Sequence, residues 1–451
     1  MLTRLTVSGF KSLLSVDIRF GPVTCIVGDN AVGKSNLFDA IRFLHLLATG
    51  PIPAAVASIR ESHGRSAKPA DLFTAFGSER VESEIRLAAE MIVRPQATDE
   101  FGASAEASIT SLRYEVAFAL DEDEDRLILK EESLKPITVG DTRKRLTSWA
   151  KPAFVDSVVE GVRRGGDFIS TDAEGTVHLH QDGHGGRKVP AARSSRTILS
   201  SVNADFPTAL AARREMESWR TLQLEPSAMR GPSLYSDPRH IDERGGNLAA
   251  TLQRLGKQGG REVWSEIASR LARLVPDIRA LRVEDDPRLE TFTALIESSD
   301  GAARPARALS DGTLRFLVLA TLTSDPEATG TLCVEEPENG IHPDRVTDMV
   351  ELLYDLAVSP SEAVSESNPL RQIVINTHSP LVYRAVRRDD VVFMQFVDVF
   401  RPPLRGRCAS VAVPPGTWRE ISTDPRHEAV QPATTEAWEQ ITFSFGENRD
   451  A

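Results

Sequence analysis

The chain has 451 residues, 41% hydrophobic and 26% charged, enough for a sizeable core and for two or three structural units. A formal net charge of −12 excludes a surface that tracks nucleic acid over its whole extent, so any such contact must come from a local patch or a partner. Three cysteines exclude a disulfide framework and fit a reducing cytoplasm. With no membrane-length apolar run and no secretory leader, the expected location is cytoplasmic, without a membrane partner.

In chain order, Leu14, Val16, Ile18 and Phe20 alternate with Ser15, Asp17 and Arg19, the period of a half-buried strand. Pro22 to Val27 is a continuous apolar run, as in a strand buried on both faces. Lys34 to about Leu47 predicts a helix with Leu37, Ile41, Phe43 and Leu47 on its apolar side. Residues 50–80 are rich in Ala, Pro and Ser and carry little periodicity. Residues 81–135 predict antiparallel strands, with Val116, Phe118 and Leu120 alternating and residues 122–126 (EDEDR) as a polar turn. Residues 160–193 predict loops between short strands, followed by two helices, the second from about Glu262 to Leu274. No heptad persists, so long coiled-coil arms are excluded. The last 55 residues predict a short strand-and-loop appendage. Cys25 and Cys333 sit in apolar runs as small core residues, and Cys408 lacks neighbours at metal-site spacing.

Four motifs carry chemistry. Gly28, Asp29, Asn30, Ala31, Val32, Gly33, Lys34 and Ser35 match the phosphate-gripping pattern G-x-x-x-x-G-K-[ST] between a strand and a helix. Glycines let backbone N–H groups turn toward phosphate oxygens, the helix adds its positive end, Lys34 reaches the β- and γ-phosphates, and Ser35 coordinates Mg²⁺. Second, a strand ending in Glu335 and Glu336 puts two carboxylates at a sheet edge, one to hold hydrated Mg²⁺ and one to orient or deprotonate an attacking water. Third, Leu309-Ser310-Asp311-Gly312-Thr313 opens an apolar helix; it suits an anion, or is simply an N-cap. Fourth, Ile373 to Thr377 delivers His378 to a sheet edge, within hydrogen-bonding reach of a γ-phosphate.

GFKSL (9–13), GDNAVGKSN (28–36), LSDGTLR (309–315), VEEPENGIHP (334–343) and NTHSP (376–380) resemble the bacterial AAA family ATPases with ABC-type heads, relatives of the RecF, structural-maintenance-of-chromosomes and overcoming-lysogenization-defect ATPases. The resemblance runs from residue 1 to about 395 and is looser in the middle. It implies an α/β fold, a P-loop NTPase head with a mixed central sheet, an antiparallel β subdomain and a helical insertion. The implied organisation is an N-terminal lobe (1–80), an inserted β-rich region (81–240), a helical and strand linker (241–300), a C-terminal lobe (301–395) and the appendage (396–451).

By the same resemblance Ser310 and Gly312 belong to the signature that caps ATP on a second subunit. Glu335 is the metal-binding acid, Glu336 the catalytic glutamate, and His378 the switch histidine. Asn36 extends the phosphate loop, and Lys11 matches a basic turn position near the nucleotide, an exposed turn lysine being the alternative. Glu335 stands where many relatives have Asp. No Q-loop glutamine is assigned, Gln96 and Gln181 both lying in loops. The residues after Pro380 lack the acidic cluster of a fused TOPRIM nuclease. The expected function is therefore an ATP-hydrolysing homodimeric switch using ATP and Mg²⁺, serving DNA repair or antiphage defence with a separately encoded effector. DNA contact through Arg163, Arg164, Arg187, Lys188, Arg193 and Arg196 is weighed against ordinary solvated charge. The alternatives are the ATPase subunit of a membrane transporter and a non-hydrolysing scaffold; the LSDGT signature speaks against the first and the intact motif set against the second.

Overall fold

The computed structural model describes residues 1–59, 68–161, 166–180 and 186–420. The chain divides into two units. The first holds Met1–Trp219, Ser359–Asn368 and the chain from Arg388 onward; the second holds Arg220–Val358 and Pro369–Arg387.

In the first unit the expected N-terminal strand is Leu13–Arg19, with Leu14, Val16 and Ile18 buried and the residues between them half-buried. It pairs antiparallel with Leu2–Phe10, whose other edge pairs with Glu84–Ile92. The sheet continues through Ser111–Asp121, Arg126–Pro136, Ile169–Thr171, Thr176–His180 and Gly186–Pro190, eight strands in all. The β-rich insert and the N-terminal strands are thus one sheet. Tyr114, Val116 and Phe118 point into the core as the alternation requires, and Leu120 is only half-buried near the turn.

Helix Lys34–Thr49 packs on this sheet through aromatic rings, Phe10 to Phe43 at 6.0 Å and Phe43 to Phe118 at 5.8 Å between centroids. Such ring pairs contribute about 1 kcal/mol each beyond their buried area. Beyond the helix the chain forms a second, shorter helix, Ile52–Ser58, where the sequence carried little periodicity. Pro53 in its first turn has the preset φ that a helix start accepts, where its missing N–H costs nothing.

Val23–Val27 is buried at every residue, as expected of a strand covered on both faces. Its parallel neighbour is Val391–Arg401, in register Val391 with Cys25, which turns back antiparallel as Leu404–Ala412. The region beyond residue 395 therefore begins as part of a sheet. Arg419, buried, secures its end by donating to the carbonyls of Asp389 (2.8 Å), Val23 (3.1 Å) and Arg19 and to the Thr24 hydroxyl (3.0 Å).

The second unit carries three parallel strands, Arg220–Leu222, Gly330–Glu335 and Arg371–Thr377. A separate antiparallel sheet is built on Ile278–Asp286 and Thr291–Ser298. Helix Leu248–Leu274 breaks at Gly260, where φ is +68°. The break follows from its glycines: a Cβ on Gly256 would lie 2.4 Å from the Trp264 ring, whose indole N–H donates 2.8 Å to the Leu252 carbonyl. The helix expected from Glu262 is the half that follows this break.

Candidate active site

The phosphate-type loop lies in the first unit, between Val23–Val27 and Lys34–Thr49, the strand–loop–helix setting its sequence predicts. Asp29, Asn30 and Ala31 are exposed, while Gly28, Val32, Gly33 and Lys34 are buried. The loop admits no side chain at its two glycines. A Cβ on Gly28 would sit 2.3 Å from the Met394 carbonyl oxygen, and one on Gly33 (φ +100°) would sit 2.5 Å from the Ser12 hydroxyl. Lys34 curls over the loop, its ammonium donating to the carbonyls of Gly28 and Asp29 at 2.7 Å each. Ser35 follows at half burial in the first helical turn, and Asn36 donates 2.8 Å to the Ser12 hydroxyl, tying the helix to the strand turn at residues 11–12.

Lys11, at φ +49°, pairs its ammonium with the buried carboxylate of Asp39 at 2.6 Å. Its charge thus fixes the turn to the helix. Gln96 lies exposed on the short strand Gln96–Thr98 of the same unit, and Gln181, Arg163 and Arg164 fall outside the described residues.

The acidic, signature and histidine motifs lie in the second unit. Strand Gly330–Glu335 is apolar and buried until Glu335, which is half-buried at its carboxyl end. The next residue breaks the geometry. Glu336 has φ +40°, left-handed backbone that costs a non-glycine residue on the order of 1–3 kcal/mol and collects at functional sites. Its N–H is held twice by Asn376, at 3.1 Å to the backbone oxygen and 2.9 Å to the side-chain oxygen. The bend aims its carboxylate at two neighbours: Asn339 Nδ2 donates to Oε2 at 2.8 Å, and His378 Nδ1 lies 3.0 Å from Oε1. Glu336 and His378, 42 positions apart, are thus brought together, with Asn339 and Asn376 beside them.

Ser310 caps helix Asp311–Thr323, its hydroxyl accepting from the Thr313 N–H at 3.2 Å. Arg230 pins the preceding turn by donating to the carbonyls of Arg307 (3.0 Å) and Leu309 (2.8 Å) and to the Asp311 carboxylate. Gly312 leaves room for the acidic loop: a Cβ there would come within 3.2 Å of the Gly340 carbonyl oxygen. Signature and acidic loop are therefore direct neighbours within this unit.

Glu338 was not singled out by sequence reasoning, though its place two residues after Glu336 offered a signal. It is buried, one oxygen accepts from the Thr377 hydroxyl, and the other has no hydrogen-bond partner. Burial pushes its carboxyl up from the ordinary range, and the neighbouring Glu336 charge adds to this. Arg230 was likewise missed, because nothing local marks an arginine that acts across about eighty residues of chain.

Among the described residues there is no cluster of three or more His, Cys, Asp or Glu that could hold a metal, and no helix long and apolar enough to cross a membrane. The family model described as "AAA domain, putative AbiEii toxin, Type IV TA system" matches residues 23–384. The chain belongs to this family.

Among named proteins, the chain is similar to the DNA replication and repair protein RecF. The Porphyromonas gingivalis protein is 47% identical over 45 residues, 10% of this chain and 12% of RecF. The Paenarthrobacter aurescens protein is 34% identical over 85 residues, 19% of this chain and 21% of RecF. The matched segments thus span about an eighth and a fifth of those relatives' length. Among solved structures, an SMC head bound to the C-winged helix domain of ScpA superposes with a TM-score of 0.50 at 14% identity, covering 90% of this chain and 97% of the other. That likeness shows the fold. It is an α/β fold of the ABC-type head kind, as in SMC heads, with short stretches of likeness to RecF.

Proposed function

We propose that the chain is an ATP-hydrolysing switch in which two copies close on ATP and part after hydrolysis. The observation that carries this reading is Glu336, held in a strained bend with its carboxylate between Asn339 and His378. A carboxylate kept in place at that cost, beside a histidine, suits a general base for an attacking water. In this reading Gly28 to Asn36 hold the triphosphate, Ser35 and Glu335 hold Mg²⁺, and Ser310 and Gly312 face the nucleotide of the second copy.

The loop's residues fit a polyphosphate. Two glycines whose added Cβ would clash, a helix N-terminus and a lysine already turned over the loop form a cradle for an anion. Bound Mg²⁺ would neutralise charge developing on the phosphoryl group. His378 Nδ1 beside Oε1 and Asn339 on the other oxygen keep Glu336 oriented. We assign the output to DNA repair or antiphage defence through a separately encoded effector. Arg187, Lys188, Arg193 and Arg196, all exposed, offer DNA a local basic contact on an acidic protein.

Two results test this. Gly28→Ala should bind ATP at least tenfold more weakly without losing the fold, as read by nucleotide titration beside a thermal melt, because its Cβ would force the loop off the Met394 carbonyl. Ser310→Asp keeps the helix cap but places negative charge where the partner's triphosphate would sit. It should bind ATP normally yet lose pairing and at least tenfold in turnover. Wild-type turnover in Ser310→Asp would overturn the two-copy site.

A further inference from the structure

Glu336 and His378 meet at 3.0 Å, but they arrive there with unequal support. Glu336 is tied through its backbone N–H to Asn376 and through its second carboxylate oxygen to Asn339. The partly exposed His378 ring makes this one hydrogen bond among the described residues. It also stands in the short link between strand Arg371–Thr377 and helix Pro380–Ala385, outside both. An imidazole so placed swings about its side-chain torsions unless the backbone under it is fixed.

The fixing point is the hydroxyl of Thr377. It accepts the Ser379 N–H at 2.9 Å, closing the residues on either side of His378 into one turn, and it donates to Oε1 of Glu338. A threonine hydroxyl has a single proton, and Glu338 is what takes it. With that acceptor in place the hydroxyl is set, and its lone pairs face Ser379. Thr377 and Glu338 are both buried, so water does not compete for either group. Glu338 is itself held by the acidic loop, its carbonyl accepting the Ile341 N–H at 3.0 Å. Two carboxyl groups of one loop thus grip one histidine turn, Glu336 by the ring and Glu338 by the backbone.

A second observation is the penalty that Glu338 carries. Its Oε2 is buried without a hydrogen-bond partner, which an apolar side chain of similar size would spare the fold. Such a group calls for an explanation other than packing. Arg315, buried on helix Asp311–Thr323, also leaves its Nε unpaired, and burial holds its guanidinium below the ordinary value against the charges of Asp311 and Glu338. Arg315 and Glu338 form no ion pair, so the bond to Thr377 is the one the Glu338 side chain makes to another residue. We infer that Glu338 is a positioning residue for His378, holding through the Thr377 hydroxyl the turn that presents the imidazole to Glu336. This rests on the reading of Glu336 and His378 as the hydrolytic pair.

The test uses the full-length chain with nitrogen-labelled histidine, the His378 signal being the one absent from His378→Gln. Long-range proton–nitrogen spectra read its tautomer, which should be single in the wild type. Glu338→Met keeps the volume and removes the acceptor. It should mix the two tautomers and lower kcat for ATP at least tenfold, with KM held within about twofold. Glu338→Gln keeps an acceptor for Thr377 and should restore both. Neither variant carries charge there, so any effect through Arg315 is common to the two, and the hydrogen bond alone separates them. Thr377→Val makes the same cut from the other side should the methionine variant not fold, and the double variant should lose no more than either one. An unchanged His378 signal in Glu338→Met or Thr377→Val would overturn the inference, as would a glutamine variant as impaired as the methionine one. A wild type without ATP turnover would sink the hydrolytic reading instead, and the tautomer comparison would still decide the positioning.

Discussion

Replacing Glu336 with glutamine is expected to lower ATP turnover at least a hundredfold while ATP binding persists and the paired form accumulates. The amide keeps the size of the carboxylate and one acceptor for Asn339 or His378, so the bend at φ +40° can survive. What it loses is basicity. Without a base the attacking water stays protonated, and the two-copy state has no route to release. Steady-state phosphate release gives the first number, and sedimentation velocity with and without ATP gives the second. Wild-type turnover would remove Glu336 from the chemistry. A variant that binds ATP yet sediments only as monomer would sink the pairing.

The second large effect is on stability and its pH dependence. Glu132, on strand Arg126–Pro136 of the first unit's sheet, is fully buried, accepting from the N–H groups of Ile198 (2.7 Å) and Leu199 (2.9 Å) and from the Tyr114 hydroxyl (3.2 Å). Burial pushes its carboxyl from 4.5 up to about 7. The folded state therefore holds this proton more tightly than the unfolded chain does. Its stabilising contribution is full below pH 4.5 and is lost as pH rises through about 7. Glu132→Gln does not titrate, and it turns an amide toward one backbone N–H. It should be less stable than wild type at pH 5, with a deficit roughly 2–3 kcal/mol smaller at pH 8. Denaturant unfolding at the two pH values reads this directly, and a deficit that does not change with pH would refute it. The same segment steadies the phosphate-loop helix, since the Thr197 hydroxyl donates 2.9 Å to the Leu47 carbonyl.

What could be read in advance was local chemistry. The phosphate loop, the strand ending at Glu335 and the capped helix after Ser310 are each contiguous runs in which residue type, spacing and burial period agree. The parts that escaped are made by pairing across long stretches of chain. Nothing near Val391 says that it will lie beside Cys25, and nothing near Glu132 says that Ile198 and Leu199 will need an acceptor. The break at Gly260 was foreshadowed by its glycines but not its exact place, which depends on Trp264 reaching back to Leu252. Glu336's backbone was invisible in sequence because a strained residue looks like any other until its neighbours are known.

Arg371 has a mechanical meaning. Buried at the start of the strand that ends beside His378, it donates to the carbonyls of Thr323, Ala328, Asp325 and Leu356. Thr323 closes the helix that begins beside Ser310, and Leu356 closes helix Val346–Leu356. One guanidinium thus lashes two helix ends to the strand that delivers the histidine, while Gly312 abuts Gly340 at the other end. The second unit is a closed truss, so a pull on Ser310 should move Glu336 as part of the same rigid member, without slack between sensing and chemistry.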